Sequence, residues 1–347
     1  MLPLAIIGMG QRGRATLERL RFIHEAEVVM LCDAHAEALA AERPARFASA
    51  RTTTSWQEVI AAEEVELIYI CTPWDQHVHI AVEAMQHGKH VALEVPAAMT
   101  VRECELLVRV SLWTGRHCVM LENCCYDTWH LGIHEMVRQG RLGRITHLEG
   151  AYIHTLGAQW MGQLRQEHKG NPYPTHGFGP MCQLLDTDDY PEFLVSLSSH
   201  HEGTGDNLND TLLKTRKGVT MLLQYDTSTP RPYNRLQTVC GTKGFAQKYP
   251  RPTLQLEGED PLYDEEAVRY VEQQIPPLFQ SLMEDGRQLG VPNLMNYIMD
   301  RRLIDGLQSG LPHLDMEVRE TALWSSITEL TEQSALRGGE KITIPGF

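Results

Sequence analysis

The first third of the chain alternates between short apolar runs and longer segments in which apolar residues recur with helical spacing. The apolar runs predict buried β-strands at 4–7, 27–33, 67–73, 89–96 and 117–123. The segments between them predict helices at 14–23, 79–88 and 104–115. Strands that alternate with helices indicate a parallel sheet with right-handed crossovers, so we predict an α/β domain over residues 1–123.

From residue 145 to 260 the pattern changes to alternating apolar and polar positions, which is typical of strands that bury one face. The sequence Thr-Arg-Lys-Gly at 215–218 predicts a hairpin turn between two of these strands. Consecutive strands joined by turns favour a mostly antiparallel sheet. We therefore predict a second domain, of α+β class, over residues 124–347. Its predicted helices lie at 264–273, 295–309 and 316–337.

The glycine-rich turn after the first predicted strand indicates a dinucleotide site. Residues 8–13, Gly-Met-Gly-Gln-Arg-Gly, lie between a strand and a helix, as the dinucleotide-binding fingerprint requires. Its predicted cofactor contacts are Gly8, Gly10, Gln11, Arg12 and Gly13. Asp33 ends the second predicted strand, where a carboxylate hydrogen-bonds ribose hydroxyls and repels a 2′-phosphate. The sequence thus predicts a Rossmann domain that binds NAD; the alternative is a glycine turn without a ligand.

Polar residues also follow the later strands, at the sheet edge where α/β proteins bind ligands. They are Thr72, Trp74 and His77 after the third predicted strand, Glu94 beside Val95 in the fourth, and Asn123 in the fifth. His77 and His79 have the spacing of a metal-binding pair, but no third ligand is spaced to join them. We therefore predict no metal site.

Tyr173 and His176 stand three residues apart in a stretch whose prolines and glycines restrict the backbone, just before a predicted helix. The segment that delivers them, 157–175, has no periodicity, and long segments of this kind are more often functional than idle. A histidine is suited to proton transfer near neutral pH, and a helix N-terminus favours its neutral form. A tyrosine needs a nearby cation or dipole to act as a base. We expect both residues to be catalytic; the alternative is that His176 caps the helix and Tyr173 packs on the cofactor.

Composition narrows the range of partners. The chain has 347 residues, enough for two domains, and its 31 basic against 45 acidic residues leave a net charge of −14. An acidic protein is a poor partner for nucleic acid or an anionic membrane. The eight scattered cysteines favour buried thiols in a reducing compartment over disulfides. We expect a cytoplasmic protein; the alternative is an export leader that this sequence no longer carries.

Several motifs together resemble a known family. The glycine fingerprint, Cys-Thr-Pro-Trp at 71–74 and Glu-Val-Pro at 94–96 resemble the Gfo/Idh/MocA oxidoreductases. Glu-Asn-Cys-Cys-Tyr at 122–126, Tyr-Pro-Thr-His-Gly-Phe-Gly-Pro at 173–180 and Thr-Pro-Arg-Pro-Tyr-Asn at 229–234 are similar to the NAD-dependent glycosidases of glycoside hydrolase family 109. Those enzymes are described as α-N-acetylgalactosaminidases. The similarity runs from about residue 4 to the C-terminal Pro-Gly-Phe.

The resemblance implies a reaction and a set of contacts. NAD oxidises carbon 3 of the sugar, a base removes the hydrogen on carbon 2, the group on carbon 1 leaves, water adds, and the sugar is reduced again. Tyr173 and His176 are the implied catalysts. The implied sugar contacts are Tyr152, Tyr173, Pro174, Thr175, His176 and Tyr233. The implied NAD contacts are Thr72, Trp74, His77, Glu94, Val95, Asn123, Gln159, Trp160 and Tyr173. The partner implied is a small carbohydrate or a glycan terminus, and a homo-oligomer is the expected assembly.

The chain departs from the family pattern in two places. Met161 stands where the family has an arginine that contacts substrate, and Arg165 is the nearest stand-in. Pro292 stands where a glycine-rich loop carries a histidine held to be the catalytic acid–base. Proline has no ionisable group. One explanation is that another histidine serves as the acid, and the candidates are His154, His168 and His200; the alternatives are a leaving group that departs unaided and a protein that only oxidises its substrate.

These departures leave three functions open. The first is an NAD-dependent glycosidase for N-acetylgalactosaminide-type sugars. The second is an NAD-dependent sugar or polyol dehydrogenase, and the third is an NAD-bound sugar sensor without turnover. Val95 replaces the lysine of most Gfo/Idh/MocA oxidoreductases, and because the family 109 enzymes also lack that lysine, the first function is favoured.

Overall fold

A computed structural model describes residues 1–40, 44–155, 168–200 and 207–347. The strands are β1 Leu2–Ile7, β2 Ala26–Cys32, β3 Arg51–Thr53, β4 Leu67–Ile70, β5 His90–Leu93, β6 Cys118–Met120, β7 Ile145–Ile153, β8 Pro191–His200, β9 Asn207–Thr215, β10 Thr220–Asp226, β11 Asn234–Gly241, β12 Gly244–Gln247, β13 Thr253–Leu256, β14 Leu262–Tyr263 and β15 Ile342–Thr343. The helices are α1 Gln11–Leu20, α2 Ala36–Leu39, α3 Trp56–Ala61, α4 Trp74–Gln86, α5 Val101–Thr114, α6 Thr128–Arg138, α7 Thr175–Gln183, α8 Asp264–Glu272, α9 Pro277–Leu289, α10 Leu294–Gln308 and α11 Val318–Leu336. Short 3-10 turns lie at Ala45–Phe47 and Asn123–Tyr126.

The N-terminal sheet is parallel, in the order β3-β2-β1-β4-β5-β6 within the described residues. Of its central strands, β4 is buried along its whole length and β1 at every residue but Pro3, which explains why their sequences are nearly unbroken apolar runs. The order reverses direction at β1, so the turns after β1 and β4 lie at the point where such sheets bind ligands. The predicted Rossmann-type α/β architecture is confirmed.

The C-terminal sheet is mostly antiparallel, with the described strands in the order β14-β13-β12-β11-β7-β10-β9-β8-β15. The exception is the pair β7 and β10, which run parallel. β9 and β10 form the predicted hairpin, and Gly218 closes its turn at φ +94°, a conformation that suits glycine. The predicted α+β class is confirmed.

The chain divides into two compact units, and their boundaries differ from a simple division at residue 123. The first unit comprises 1–122, 281–325 and residue 347; the second comprises 123–280 and 326–346. Residues 281–325, which the sequence suggests belong with the second domain, pack with the first. Arg19 on α1 explains why, because its Nε lies 2.6 Å from a carboxylate oxygen of Asp300 on α10. The hydroxyl of Tyr69 on β4 donates a hydrogen bond to the other oxygen at 3.1 Å.

The cysteine and membrane predictions can be compared with the described residues. No disulfide joins the eight cysteines there, and burial raises the pKa values of the Cys71 and Cys118 thiols to about 12. Such thiols are poor nucleophiles at neutral pH. Within the same residues, no helix combines the length and apolar character needed to cross a membrane.

The Arg19–Asp300 pair predicts a large effect of a single charge removal. Arg19→Met leaves the Asp300 carboxylate buried without its cation, so the free energy of unfolding of the first unit should fall by about 3–5 kcal/mol. Arg51→Met is the matched control, because Arg51 pairs with Glu64 at the surface and its loss should cost about 1 kcal/mol or less. Denaturant titration followed by fluorescence measures both, and equal losses in the two variants would contradict this assignment.

Candidate active site

The glycine turn between β1 and α1 is shaped by two glycines that cannot be replaced and one that faces open space. Gly8 has φ +94°, and a Cβ there would lie 2.6 Å from the carbonyl of Cys71. A Cβ on Gly13 would lie 1.8 Å from the Gly8 carbonyl oxygen. A Cβ on Gly10 would meet nothing within 4 Å. The turn therefore packs tightly against the sheet beneath it and leaves room for a ligand over Gly10 at the start of α1.

Asp33, directly after β2, holds this turn in place. Its two carboxylate oxygens accept hydrogen bonds from the backbone N–H groups of Met9 at 2.7 Å and His35 at 2.9 Å. Each oxygen keeps a second lone pair for a ribose hydroxyl. The role of Asp33 as a ribose contact stays a prediction, and the residue also has a structural role that the sequence did not indicate.

The ends of β4 and β5 come together through His77. This ring is fully buried, with Nε2 2.9 Å from the Thr72 carbonyl oxygen and Nδ1 3.2 Å from the Pro96 carbonyl oxygen. Burial lowers the pKa of His77 below its ordinary value. The indole Nε1 of Trp74 donates to the Val95 carbonyl at 3.1 Å. His77 thus orders the loops that carry Thr72, Trp74 and Val95, and we expect it to act on the cofactor through them.

Two further features of this edge fit a nucleotide. The Oγ1 of Thr72 is buried without a hydrogen-bond partner in the protein, as expected of a group that binds a ligand atom. Glu94 lies 3.8 Å from Arg19, which keeps a cation beside its carboxylate. The first unit therefore has the turn, the acidic residue and the polar strand ends that NAD requires.

The remaining predicted NAD contacts lie elsewhere. Asn123 and Tyr173 belong to the second unit, and Asn123 starts the 3-10 turn that precedes α6. Gln159 and Trp160 lie outside the described residues, as do Met161 and Arg165. The roles of all four stay predictions.

In the second unit, three predicted sugar contacts meet in one aromatic cluster. The rings of Tyr173 and His176 have centroids 4.8 Å apart, and Tyr152 on β7 lies 4.8 Å from Tyr173 and 5.3 Å from His176. Tyr173 is only 2% exposed, whereas His176 is partly exposed. α7 begins at Thr175, so His176 lies in its first turn, as the sequence predicts.

Two glycines bring these residues together. A Cβ on Gly150 of β7 would lie 2.4 Å from the Gly177 carbonyl oxygen, and one on Gly177 would lie 2.6 Å from the Ala151 nitrogen. The backbones of β7 and α7 are therefore in direct contact. Because Tyr152 and His176 are close neighbours of these glycines in sequence, this contact determines the distance between their rings.

The segment before Tyr173 is fastened to α11. The N–H of Lys169 donates to a Glu332 carboxylate oxygen at 2.8 Å, and the N–H of Asn171 donates to the Thr331 hydroxyl at 2.9 Å. The N–H of Tyr173 then donates to the Asn171 side-chain oxygen at 3.0 Å. Pro174 and Thr175, which follow, are buried. These bonds explain how an irregular stretch holds a phenol in a fixed place.

Tyr233 and His154 extend the cluster towards the surface. The Tyr233 ring is 43% exposed and meets the His154 ring edge-on at 5.2 Å. His154 in turn lies 6.0 Å from Tyr152, and its Nδ1 is buried without a hydrogen-bond partner. Burial raises the pKa of the Tyr233 phenol above its ordinary value, although Arg235 acts in the opposite direction.

The structure also shows a charged group that the sequence did not indicate. Asp127 caps α6 by accepting a hydrogen bond from the Trp129 N–H at 3.0 Å, and it also binds Arg235 and Lys248. Burial would raise the pKa of Asp127, but Arg235 and Lys248 hold it well below its ordinary value. These residues come from α6, β11 and the segment after β12, so no local motif could have revealed them.

The loop that contains Pro292 lies in the first unit, ahead of α10. Pro292 precedes Asn293, which caps α10 by accepting a hydrogen bond from the Asn296 N–H at 3.1 Å. The loop lines a depression together with Ala15, Arg19 and other residues of α1, and the lining includes no histidine. A histidine is therefore absent from the described lining of this depression as well as from the motif.

The three candidate replacement histidines differ in their surroundings. The Nδ1 of His168 accepts the Gly170 N–H at 3.1 Å, and its Nε2 faces Glu332 at 3.6 Å, which suits a structural role. The side chain of His200 lies outside what the structure describes. His154 alone of the three is shown within the aromatic cluster.

Comparisons with known proteins agree with this architecture. Residues 2–120 match a family model described as the oxidoreductase family with an NAD-binding Rossmann fold, and residues 200–347 match the C-terminal domain of glycosyl hydrolase 109. The WlbA dehydrogenase from Bordetella pertussis, solved with NADH and UDP-GlcNAcA, has a TM-score of 0.78 at 19% identity, over 99% of this chain and 98% of its own. The class of the protein is thus that of NAD-binding Rossmann proteins with a Gfo/Idh/MocA-type fold, and NAD is its cofactor.

Relatives of higher sequence identity show to which family the chain belongs. Glycosyl hydrolase family 109 protein 2 of Phocaeicola vulgatus is 45% identical over all of this chain and 94% of its own length. An alpha-N-acetylgalactosaminidase of Bacteroides fragilis is 42% identical over all of this chain and 92% of its own length. The chain belongs to glycosyl hydrolase family 109.

The position of Asp33 predicts a change in cofactor binding. Asp33→Asn removes the charge that favours ribose hydroxyls over a 2′-phosphate, so NAD affinity should fall roughly 10- to 100-fold and the preference for NAD over NADP should narrow. Calorimetric titration with both cofactors measures this effect. Asp260→Asn, at an exposed site in the second unit, is the control and should bind NAD normally.

The contact between Gly150 and Gly177 predicts a loss of activity without a loss of cofactor. Gly177→Ala places a Cβ against the Ala151 backbone and pushes α7 away from β7, which displaces His176. A displacement of about 1 Å should lower kcat/KM roughly 100-fold, while NAD affinity stays the same. Gly346→Ala, where a Cβ meets nothing within 4 Å, is the control. Normal activity of Gly177→Ala would show that the close contact is dispensable.

Proposed function

We propose that this chain is an NAD-dependent glycosidase that releases N-acetylgalactosamine-type sugars from a small glycoside or a glycan terminus. The observation that carries the proposal is the cluster of Tyr152, Tyr173 and His176, in which two phenols and an imidazole meet within about 5 Å of one another. The 42% identity with an alpha-N-acetylgalactosaminidase over the whole chain supports the substrate class.

The first unit would hold the cofactor with Gly8, Gly10, Asp33 and Thr72. NAD, when bound, supplies reversible oxidation of a sugar carbinol, so that no second redox partner is needed. The residues of this chain then have to move protons at the hydroxyl, at carbon 2 and at the leaving group.

Tyr173 and His176 are our candidates for the protons at the sugar hydroxyl and at carbon 2. His176 lies at a positive helix end, which favours the neutral imidazole that a base needs. Tyr173 is buried against it, on a segment whose backbone is tied to α11. Rigid placement of this kind keeps the reacting groups aligned.

We infer that His154 protonates the leaving group in place of the missing loop histidine. Its Nδ1 is buried without a partner, and its ring contacts Tyr233, the most exposed member of the cluster. A departing aglycone has to leave from the open side of a pocket, so a group beside Tyr233 is well placed to protonate it.

A second candidate function is an NAD-dependent sugar dehydrogenase, and Pro292 is the observation that favours it. Oxidation alone needs no acid for a leaving group, so an enzyme of this kind would tolerate proline at position 292.

One assay separates the two functions. The protein is incubated with α- and β-linked 4-nitrophenyl N-acetylgalactosaminides while nitrophenol and NADH are followed together. The proposed glycosidase releases nitrophenol without net NADH, because the cofactor is regenerated in each cycle. Accumulation of NADH with an intact glycoside would establish the dehydrogenase, and the absence of both signals would contradict each of the two functions.

Replacements of the proposed acids and bases give a second prediction. Tyr173→Phe, His176→Ala and His154→Ala should each lower kcat roughly 10²- to 10⁴-fold, since each removes one proton transfer. NAD binding, measured by fluorescence, should persist in the His154 and His176 variants. Tyr190→Phe and His313→Ala, both at exposed sites, are matched controls that should stay active.

A nitrophenyl substrate has a good leaving group, so His154→Ala should lose less activity on it than on an alkyl glycoside.

A further inference from the structure

Three charged side chains from distant parts of the second unit form one cluster beneath the sugar-handling aromatics. Nη2 of Arg235 lies 2.5 Å from one Asp127 oxygen, and Nζ of Lys248 lies 2.6 Å and 2.7 Å from the two oxygens. We call Asp127, Arg235 and Lys248 the cation cluster. Two cations share one carboxylate, so the cluster carries an excess of one positive charge.

Arg235 carries its part of this charge in the interior, whereas Lys248 is 24% exposed. Arg235 is 2% exposed, and its Nε and Nη1 are buried without hydrogen-bond acceptors. Burial opposes the charged form, but Cys124 and Asp127 hold the pKa of Arg235 well above its ordinary value. Buried donors without acceptors and uncompensated charge are both costly. One cation would be enough to neutralise the Asp127 carboxylate. We therefore look for a functional role of the second cation.

The cluster lies close to both ends of the proposed sugar site. The Arg235 Cζ is 6.0 Å from the ring centroids of Tyr233 and Tyr249. On the other side, Cys124, which interacts electrostatically with Arg235, has its sulfur within 4.8 Å of a ring nitrogen of His176. The positive charge of the cluster therefore acts at Tyr233, and it also acts on Cys124, which neighbours His176.

The proposed reaction develops negative charge in that region. NAD, when bound, would supply the oxidation that makes carbon 3 a ketone, and a base of this chain would then take the proton from carbon 2. The electron pair of the broken C–H bond moves between carbons 2 and 3, and the ketone oxygen becomes an enolate oxygen. Return of that pair expels the group on carbon 1, which leaves with its bonding electrons and takes a proton. We propose that the cation cluster stabilises this enolate, so that Arg235 and Lys248 act as positioning residues for the elimination step.

The proposal rests on the proposed glycosidase function, and the arrangement of the cluster allows a sharp test. Arg235→Met and Lys248→Met each lower the cluster charge from +1 to 0, and each leaves Asp127 paired with the remaining cation. Both should lower kcat roughly 10- to 100-fold with little change in KM. Both should also slow, by a similar factor, the exchange of the carbon-2 hydrogen of free N-acetylgalactosamine with deuterated water, measured by NMR.

Controls distinguish charge from packing. Arg235→Lys keeps the charge and should recover most of the activity, whereas a purely structural role of the guanidinium would leave this variant as impaired as Arg235→Met. Lys217→Met removes an exposed cation that pairs with Asp186 and Asp188, and it should have no effect. Thermal unfolding of each variant checks that the fold persists.

A binding experiment provides a readout that does not depend on turnover. 4-Nitrophenolate carries its charge on an oxygen attached to an unsaturated carbon, as an enolate does. Its affinity for the NAD-loaded protein, measured by its absorbance, should fall about 10-fold in both Met variants, while the affinity of neutral N-acetylgalactosamine should not change.

The outcomes separate this proposal from the one on which it rests. If Arg235→Met and Lys248→Met lose kcat, the rate of carbon-2 hydrogen exchange and nitrophenolate affinity to the same extent, the charge of the cluster is what stabilises the enolate. Unchanged kcat in Lys248→Met, in an otherwise active enzyme, overturns it. A wild-type protein that neither cleaves the glycoside nor exchanges carbon 2 contradicts the proposed function, and the enolate role then fails with it.

Discussion

The contact between the backbones of β7 and α7 is the constraint on which the sugar-handling part of the structure depends. Gly150 and Gly177 remove the side chains that would keep a strand and a helix at their usual separation. Tyr152 and His176 are carried along with these backbones, and Tyr173 joins them because its own segment is tied to α11. The distances within the aromatic cluster are therefore set by main-chain packing, which is much stiffer than side-chain packing.

The two units provide different kinds of chemistry. In the first, the groups that we propose to hold the cofactor are mainly backbone groups of the glycine turn, with Asp33 and Thr72 at the adjoining strand ends. In the second, ionisable side chains dominate, and a partly buried positive excess lies within a chain whose net charge is −14. We expect the overall negative charge to disfavour nucleic acid as a partner, whereas we propose that the local charge at Arg235 and Lys248 favours an anionic reaction intermediate.

How much could be predicted from the sequence depended on how local each signal was. The apolar runs of β1, β2, β4, β5 and β6 and the glycine fingerprint are contiguous, so their structures follow from pattern alone. Strand β3 was missed because Arg-Thr-Thr is polar and lies at the sheet edge. The approach of Gly150 to Gly177 and the cation cluster join residues far apart in sequence, and neither has a periodicity to reveal it. The meeting of Tyr152 with Tyr173 and His176 was predicted only through the family resemblance. The motif around Tyr173 does not by itself indicate which distant residues its side chains contact.

The pairing of Arg19 with Asp300 has a consequence for how the protein is made. The first unit needs residues from near both ends of the chain, because 281–325 are part of it. During synthesis the β1–β6 sheet leaves the ribosome long before α10 does, and until then Arg19 and Tyr69 lack the carboxylate that they share in the finished fold. The cofactor domain therefore cannot be completed until almost all of the chain has been translated, and the second unit is completed no earlier, because it includes residues 326–346.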